Sequence, residues 1–160
     1  MYVLEEKDKS ASLRRVTMCD IPIGSLVIRM DNKVHFNNFL KDKWGFNKHS
    51  DYLIVTEDKL VFVELKSRTE ISNKLQDECL SKFKSDNCTL TYADKIFQEL
   101  LSKNSFFESR EPHYVLLYQA PSIMKVPTTM TLASQPNATP STFRAIPVLN
   151  EGTISFYRTI

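Results

Sequence analysis

Two carboxylates and an amine stand at positions where they could act together on a phosphate. Asp51 precedes the apolar run Tyr52 to Val55, and Glu64 and Lys66 end a second apolar run that begins at Leu60. Carboxylate oxygens are hard ligands that suit Mg²⁺ or Mn²⁺ and leave coordination positions for water and a phosphate oxygen. A bound metal lowers the pKa of its water, while a nearby lysine neutralises the charge that develops during attack. These residue types therefore indicate hydrolysis of phosphodiester bonds.

A β-hairpin is the element that must position these side chains. The two apolar runs flank the polar residues 56–59, which is the pattern of two strands joined by a turn. Antiparallel pairing of these strands brings Asp51 to the same end of the sheet as Glu64 and Lys66. Strand side chains alternate between faces, so those of the second strand form two sets. One set is Val61, Val63 and Leu65, and the other is Leu60, Phe62, Glu64 and Lys66.

The order of the charged residues resembles a known nuclease motif. Asp51, followed by Glu64-Leu65-Lys66 at the end of an apolar strand, is similar to the motif of the PD-(D/E)xK nuclease superfamily. This superfamily includes restriction-endonuclease-like and Holliday-junction-resolvase-like enzymes. The resemblance implies that Asp51, Glu64 and the backbone carbonyl of Leu65 bind Mg²⁺ or Mn²⁺, and that Lys66 is the catalytic lysine. Ser50 stands where the family often has proline.

Many members of the superfamily carry a further acidic ligand on the helix before the hairpin. In this chain the corresponding region offers only Asp42, and Glu5 and Glu6 lie well upstream, so that ligand stays unassigned. The predicted metal site therefore has two side-chain ligands, Asp51 and Glu64.

Three further polar residues are candidate contacts with nucleic acid. Lys48 belongs to a basic cluster before Asp51, which is explained equally well by a phosphate-binding rim or by a solvated helix end. Arg68 follows Lys66 by two residues and is expected to reach the same phosphate. Gln76 lies on the predicted helix after the lysine, where the resemblance to RecB-type nucleases implies a glutamine. The other lysines of this helix are expected to face either nucleic acid or water, with water favoured: Lys74, Lys82 and Lys84.

The remaining elements predict a sheet covered by helices. Strands are predicted over residues 13–18, 25–30 and 113–118, the last of them parallel to the strand of Glu64. Helices are predicted over residues 34–44, 71–84 and 91–103, with a break at Asp86 and Asn87 between the last two. Residues 120–141, rich in Pro, Thr and Ser, predict a flap, a dimer arm or a strand-rich extension. Residues 143–160 predict a hairpin with its turn at 149–152.

Together these elements predict an α/β fold in one domain spanning residues 1–160. The resemblance implies a restriction-endonuclease-like αβββαβ core, with a mixed central sheet flanked by helices, over about residues 34–118. A β-rich C-terminal extension is expected over about residues 119–160. A chain of 160 residues is long enough for one domain with its own hydrophobic core.

The composition, with 42% hydrophobic and 25% charged residues, is that of an ordinary globular protein. A net charge of +2 neither requires nor excludes a nucleic-acid partner. The three cysteines, Cys19, Cys79 and Cys88, form no C-x-x-C pair and are expected to be reduced thiols. The first residues lack the pattern of a signal peptide and no run reaches membrane-spanning length, so we expect a cytoplasmic protein without a membrane partner.

Two functions remain open from the sequence. The first is a metal-dependent nuclease, with DNA favoured over RNA by the resemblance, acting as a homodimer or beside a partner protein. The resemblance implies a role in restriction, repair or anti-phage defence. The second is a catalytically inactive module with the same fold that binds nucleic acid or a partner protein. Glu64 and Lys66 would then be a simple ion pair on a strand.

Overall fold

The structure, a computed structural model, describes residues 1–6, 8–30, 48–101, 104–121 and 137–160. Over these residues the chain is a mixed α/β protein with two mixed sheets and one long helix. In chain order the elements are β1 (Tyr2–Glu5), β2 (Arg15–Cys19), β3 (Leu26–Arg29), β4 (Tyr52–Val55), β5 (Lys59–Lys66), α1 (Asn73–Leu101), β6 (Glu111–Gln119), β7 (Arg144–Val148) and β8 (Thr153–Ser155).

The larger sheet has the strand order β3-β4-β5-β6-β7. Strand β4 is antiparallel to both β3 and β5, whereas β6 pairs in parallel with both β5 and β7. The predicted hairpin is confirmed as β4 and β5, with Tyr52 opposite Val63 and Val55 opposite Leu60. The predicted parallel strand is confirmed as β6, in which Leu116 lies opposite Glu64. The early strand predictions are confirmed as β2 and β3, with bounds shifted by one or two residues.

The predicted alternation of side chains along β5 is confirmed by two separate hydrophobic cores. Val61, Val63 and Leu65 pack in a core that includes residues of β1, β2 and β8. Leu60 and Phe62 pack in the other core, against α1. Glu64 and Lys66, which continue this second face, therefore lie on the same side of the sheet as α1.

The helix after the hairpin is continuous, so the prediction of two helices separated at Asp86 and Asn87 is wrong. Both side chains form hydrogen bonds with residues outside the helix, so neither residue has to end it. Asp86 accepts hydrogen bonds from the chain before β4, and Asn87 Oδ1 accepts one from the Tyr114 hydroxyl at 3.3 Å. Thr91, at the predicted start of the second helix, lies inside α1 and donates its hydroxyl to the Asn87 backbone carbonyl one turn earlier. Residues that often interrupt a helix thus anchor this one to the sheet.

The C-terminal segments form no hairpin, so that prediction is also wrong. Strand β7 joins the larger sheet beside β6, while β8 pairs in parallel with β2 in the three-stranded sheet β1-β2-β8. The turn between them redirects the chain, because Glu151 takes a positive φ of 60° and donates its N–H to the Arg15 carbonyl. Strand β7 is thereby an edge strand of the larger sheet.

Two predicted segments, the helix over residues 34–44 and most of the arm over residues 120–141, lie outside the described residues. All three cysteines are free thiols, as predicted. Within the described part of the chain, no helix combines the length and the apolar character that crossing a membrane requires.

Candidate active site

The end of the β4–β5 hairpin places Asp51 beside the motif residues of β5. Asp51 immediately precedes β4, and its Oδ2 accepts a hydrogen bond from the Leu65 N–H at 2.7 Å. Its backbone carbonyl accepts another from the Met30 N–H at 2.9 Å. The side chain is nearly buried, with a relative exposure of 9%. These contacts hold the Asp51 carboxylate next to the Glu64-Leu65-Lys66 segment, as the sequence predicted.

The segment before Asp51 is tied to α1 through a buried aspartate. His49 Nδ1 lies 2.8 Å from Asp86 Oδ1, and the Ser50 N–H donates to Asp86 Oδ2 at 3.0 Å. Asp86 is fully buried, so these bonds are shielded from water. The helix that faces the site therefore also positions the chain leading into it.

Glu64 lies at the centre of the site and is fully buried. Its two oxygens have different surroundings. Oε1 accepts from two lysines, with Lys82 Nζ at 2.6 Å and Lys66 Nζ at 3.0 Å. Oε2 is buried and has no hydrogen-bond partner among the described residues. A buried carboxylate oxygen without a partner is costly, and an oxygen in that state is suited to a cation.

Lys66 bridges two carboxylates. Its Nζ lies 2.6 Å from Glu78 Oε1 on α1, in addition to its contact with Glu64. The site thus contains three carboxylates, Asp51, Glu64 and Glu78, against the two ammonium groups of Lys66 and Lys82. With all five ionised, it has an excess of one negative charge, which favours an added cation.

Burial raises the pKa of both predicted metal ligands, so they are weaker acids than usual. Burial, reinforced by the charge of Glu64, raises the pKa of Asp51 to about 7, although Lys82 opposes this change. Burial likewise raises the pKa of Glu64 against the opposing charges of Lys82 and Lys66. Carboxylates that repel each other in a buried site are stabilised in the ionised form by a divalent cation.

For Lys66 and Lys82, the effect of nearby carboxylates on the pKa outweighs the effect of burial. Burial acts to lower the pKa of Lys66, but the charge of Glu64 and the hydrogen bond to Glu78 outweigh it and raise that pKa. For Lys82, burial is likewise outweighed by the charges of Glu64 and Asp51, and its pKa is raised. Both amines are therefore cations near neutral pH and can interact with a phosphate.

The donor set fits a hard divalent cation. Asp51 and the unpartnered Oε2 of Glu64 supply carboxylate oxygens, which Mg²⁺ and Mn²⁺ prefer. Leu65 directly follows Glu64 in the chain and uses its N–H to orient Asp51. Within the described ranges there is no group of three or more His, Cys, Asp and Glu side chains that could hold a metal. Two side-chain ligands still suit Mg²⁺, which usually keeps several of its waters.

The three candidate nucleic-acid contacts lie at different distances from this centre. Lys48 is exposed at the start of the segment that leads to Asp51. Arg68 is also exposed, and its charge helps to lower the pKa of Glu78, so it belongs to the rim of the site. Gln76 is exposed on α1, about 200° around the helix axis from Glu78, and is not brought to the site.

Sequence reasoning missed the contribution of α1. Lys82 was expected to face water, but it contacts Glu64 instead, so that prediction is wrong. Glu78, which contacts Lys66, is not part of the sequence motif. A usable signal was present, because Leu75, Glu78, Cys79 and Lys82 follow the i, i+3, i+4, i+7 spacing of one helix face. The buried Leu75 and Cys79 show which face that is.

Cys79 lies on the same face of α1 but is unsuited to nucleophilic chemistry. It is fully buried, and burial together with the charge of Glu64 raises the pKa of its thiol to about 12. Because the thiolate is the reactive form of cysteine, this residue serves packing.

No family model, curated protein or solved structure matches the chain. The arrangement of Asp51, Glu64 and the two lysines at the end of the hairpin is therefore the feature that bears on function.

Proposed function

We propose that this protein is a metal-dependent nuclease that hydrolyses phosphodiester bonds, with DNA as the favoured substrate. The observation that carries the proposal is the buried, unpartnered Oε2 of Glu64 in a site shared with Asp51 and two lysines. A surface ion pair would leave Glu64 exposed, whereas here it is fully buried. A buried carboxylate that keeps one oxygen unpaired is expected where that oxygen has a ligand to bind.

The residues have distinct roles in this proposal. Asp51 and Glu64 hold Mg²⁺ or Mn²⁺, and Asp51 is kept in orientation by the Leu65 N–H. When bound, the metal ion supplies a water of lowered pKa and positive charge close to the phosphate. Lys66 keeps its ammonium beside Glu64, where it neutralises charge on the phosphate and orients the attacking water. Arg68, exposed at the rim, contributes a phosphate contact.

The order of elements supports a restriction-endonuclease-like core. An antiparallel β3-β4-β5 unit is followed by α1 and by β6, which returns parallel to β5. This is the βββαβ portion of the arrangement that the sequence motif implies. The proposed ligands lie at the sheet end of the central hairpin, on the side covered by α1.

Cleavage assays test the proposal directly. Purified protein is incubated with single-stranded, double-stranded and branched DNA and with RNA, in Mg²⁺ or Mn²⁺ and then in EDTA. We expect metal-dependent cleavage that Glu64→Gln reduces by about 100-fold or more, since this change removes the charge that binds the metal. Glu57→Gln, which alters an exposed glutamate in the turn of the same hairpin, is the matched control and should cleave normally.

An inactive binding module is the second candidate, and one observation favours it. Glu64 Oε1 already has two ammonium partners, as a purely structural ion cluster would. Wild-type protein that neither cleaves any of these substrates nor binds Mn²⁺ would refute the nuclease proposal and support this module.

A further inference from the structure

Lys82 reaches the proposed metal site from a different element than the motif lysine. Its Nζ donates to Glu64 Oε1 at 2.6 Å, the same oxygen that Lys66 contacts at 3.0 Å. Lys66 has a second acidic partner in Glu78, at 2.6 Å. Within the described part of the chain, the ion-pair partner of Lys82 is Glu64. The two lysines are therefore unequal, because among the described residues only Lys66 keeps a direct ion pair if Glu64 is taken by another cation.

A divalent ion bound to Glu64 would compete with Lys82. The ammonium and the metal would share one carboxylate, and their like charges would repel each other across a few ångströms. Lys66 is retained by Glu78, so Lys82 is the group that leaves. Its flexible stem and its side-chain exposure of 18% give the ammonium a path towards solvent.

A lysine displaced in this way needs a new anionic partner next to the metal site. The phosphate of a nucleic acid bound there is an anion of the right chemistry, and a lysine ammonium binds phosphate as a compact point charge. Entry of metal would thus create a phosphate-binding group, and a bound phosphate would make release of Lys82 from Glu64 easier. By linkage, the metal and the substrate would each strengthen the binding of the other.

We propose that Lys82 is a resident counter-ion of the metal site, which competes with the divalent ion for Glu64 and binds a substrate phosphate once displaced. The first half concerns metal binding alone. The second half rests on the proposed nuclease function.

Mn²⁺ titrations followed by electron paramagnetic resonance test the first half. The proteins compared are the wild type, Lys82→Met and Lys84→Met, the last being an exposed lysine two residues away on the same helix. Removing the competing ammonium should tighten Mn²⁺ binding by about 10-fold, which corresponds to the loss of one charge-assisted hydrogen bond. Lys84→Met should bind as the wild type does. A folded Lys82→Met protein that binds Mn²⁺ no more tightly than the wild type would overturn the proposal.

Nitrogen NMR of the lysine side chains provides a test that needs no variant at the site to fold. In ¹⁵N-lysine-labelled wild type, Mg²⁺ should shift the Nζ signal of Lys82 strongly and that of Lys84 little. Mg²⁺ binding that leaves the Lys82 signal in place, or the lack of any Mg²⁺ binding, would contradict displacement.

Cleavage kinetics test the second half and separate it from the nuclease proposal. At saturating Mn²⁺, Lys82→Met should cleave DNA about 10-fold or more slowly despite its tighter metal binding. Equal rates for the two proteins would overturn the phosphate role. If the wild type cleaves nothing while Lys82→Met still binds Mn²⁺ more tightly, the nuclease proposal fails and the counter-ion role stands.

Discussion

At the scale of single residues, Asp51 and Glu64 are placed where their negative charges are least stable. Both are shielded from water, and each lies within the field of the other. The Leu65 N–H and the two lysines compensate for part of this cost. Such an arrangement is characteristic of functional sites, because a binding site is seldom optimised for the stability of its unliganded form.

A pH dependence of stability follows from Asp51. Its pKa is raised to about 7 in the folded protein, so folding favours its protonated form. Its contribution to the free energy of unfolding is therefore fully present below the unfolded value of 3.8 and decreases as the pH rises towards about 7. The decrease has an upper limit of about 4 kcal/mol, from 1.36 kcal/mol per pH unit.

The Asp51→Asn variant isolates this effect. Asparagine can still accept the Leu65 N–H but has no charge to desolvate, so metal-free Asp51→Asn should become more stable than the wild type as the pH rises from 4 to 8. Glu64, Lys82 and Glu6 also act electrostatically on Asp51, and all three residues are retained in the variant. Urea unfolding across this range measures the difference in the free energy of unfolding between the two proteins. If this difference did not change with pH, ionisation of Asp51 would not destabilise the fold.

At the scale of elements, α1 contains two buried aspartates that accept hydrogen bonds from neighbouring segments. Near its middle, Asp86 holds His49 and Ser50 at the entrance to β4. Further along, the buried Asp94 accepts hydrogen bonds from the backbone of residues 106–108 and from the Ser105 hydroxyl. The first connection leads to the proposed site, whereas the second supports the loop before β6.

These two aspartates provide a matched pair of variants. Asp86→Asn and Asp94→Asn should each lower the free energy of unfolding by about 1–3 kcal/mol, because each weakens hydrogen bonds to a buried charged group. Only Asp86→Asn should also weaken Mn²⁺ binding, since only Asp86 positions the segment that carries Asp51. Chemical denaturation and Mn²⁺ titration measure the two quantities. Equal loss of metal affinity in both variants would mean that any destabilisation of α1 weakens the site, and that Asp86 has no specific role.

At the scale of the whole molecule, the larger sheet is covered by α1 on one side and by the three-stranded sheet on the other. The C-terminal chain connects these layers, because β7 belongs to the larger sheet and β8 to the smaller one. The chain end is held by the buried Arg144, whose Nη1 donates to the carbonyls of Arg158 and Ile160 at 3.0 and 2.8 Å. The last residues are therefore part of the packed structure.

Arg144→Met should destabilise the whole fold by about 1–3 kcal/mol, since it removes the charge-assisted hydrogen bonds of a buried guanidinium to the backbone of the last residues. Arg158→Met, which alters an exposed arginine of the same segment, should change stability by less than about 0.5 kcal/mol. Thermal and urea unfolding compare the two variants with the wild type. Metal binding should be unaffected in both, because neither residue contacts the site, and a selective loss in Arg144→Met would contradict this separation.

The sequence by itself determined the hairpin and the position of the motif residues on it. Period-two alternation and the polar turn are local properties, so they sufficed to place Asp51 beside Glu64 and to assign Glu64 and Lys66 to one face of β5. The parallel strand β6 was likewise predictable from the sequence, because a strand that follows a helical crossover pairs in parallel with the strand before it.

Only the tertiary structure decided what surrounds that motif. Whether Asp86 interrupts a helix depends on its contacts with residues 36 or more positions away, which no local pattern contains. The same applies to Lys82, which is solvated on an isolated helix and becomes a site residue when α1 packs against β5. The separation of β7 and β8 into two sheets also depends on distant partners, β6 and β2. Local sequence patterns determine which segments form helices and strands, whereas long-range packing determines which of these elements lie next to each other.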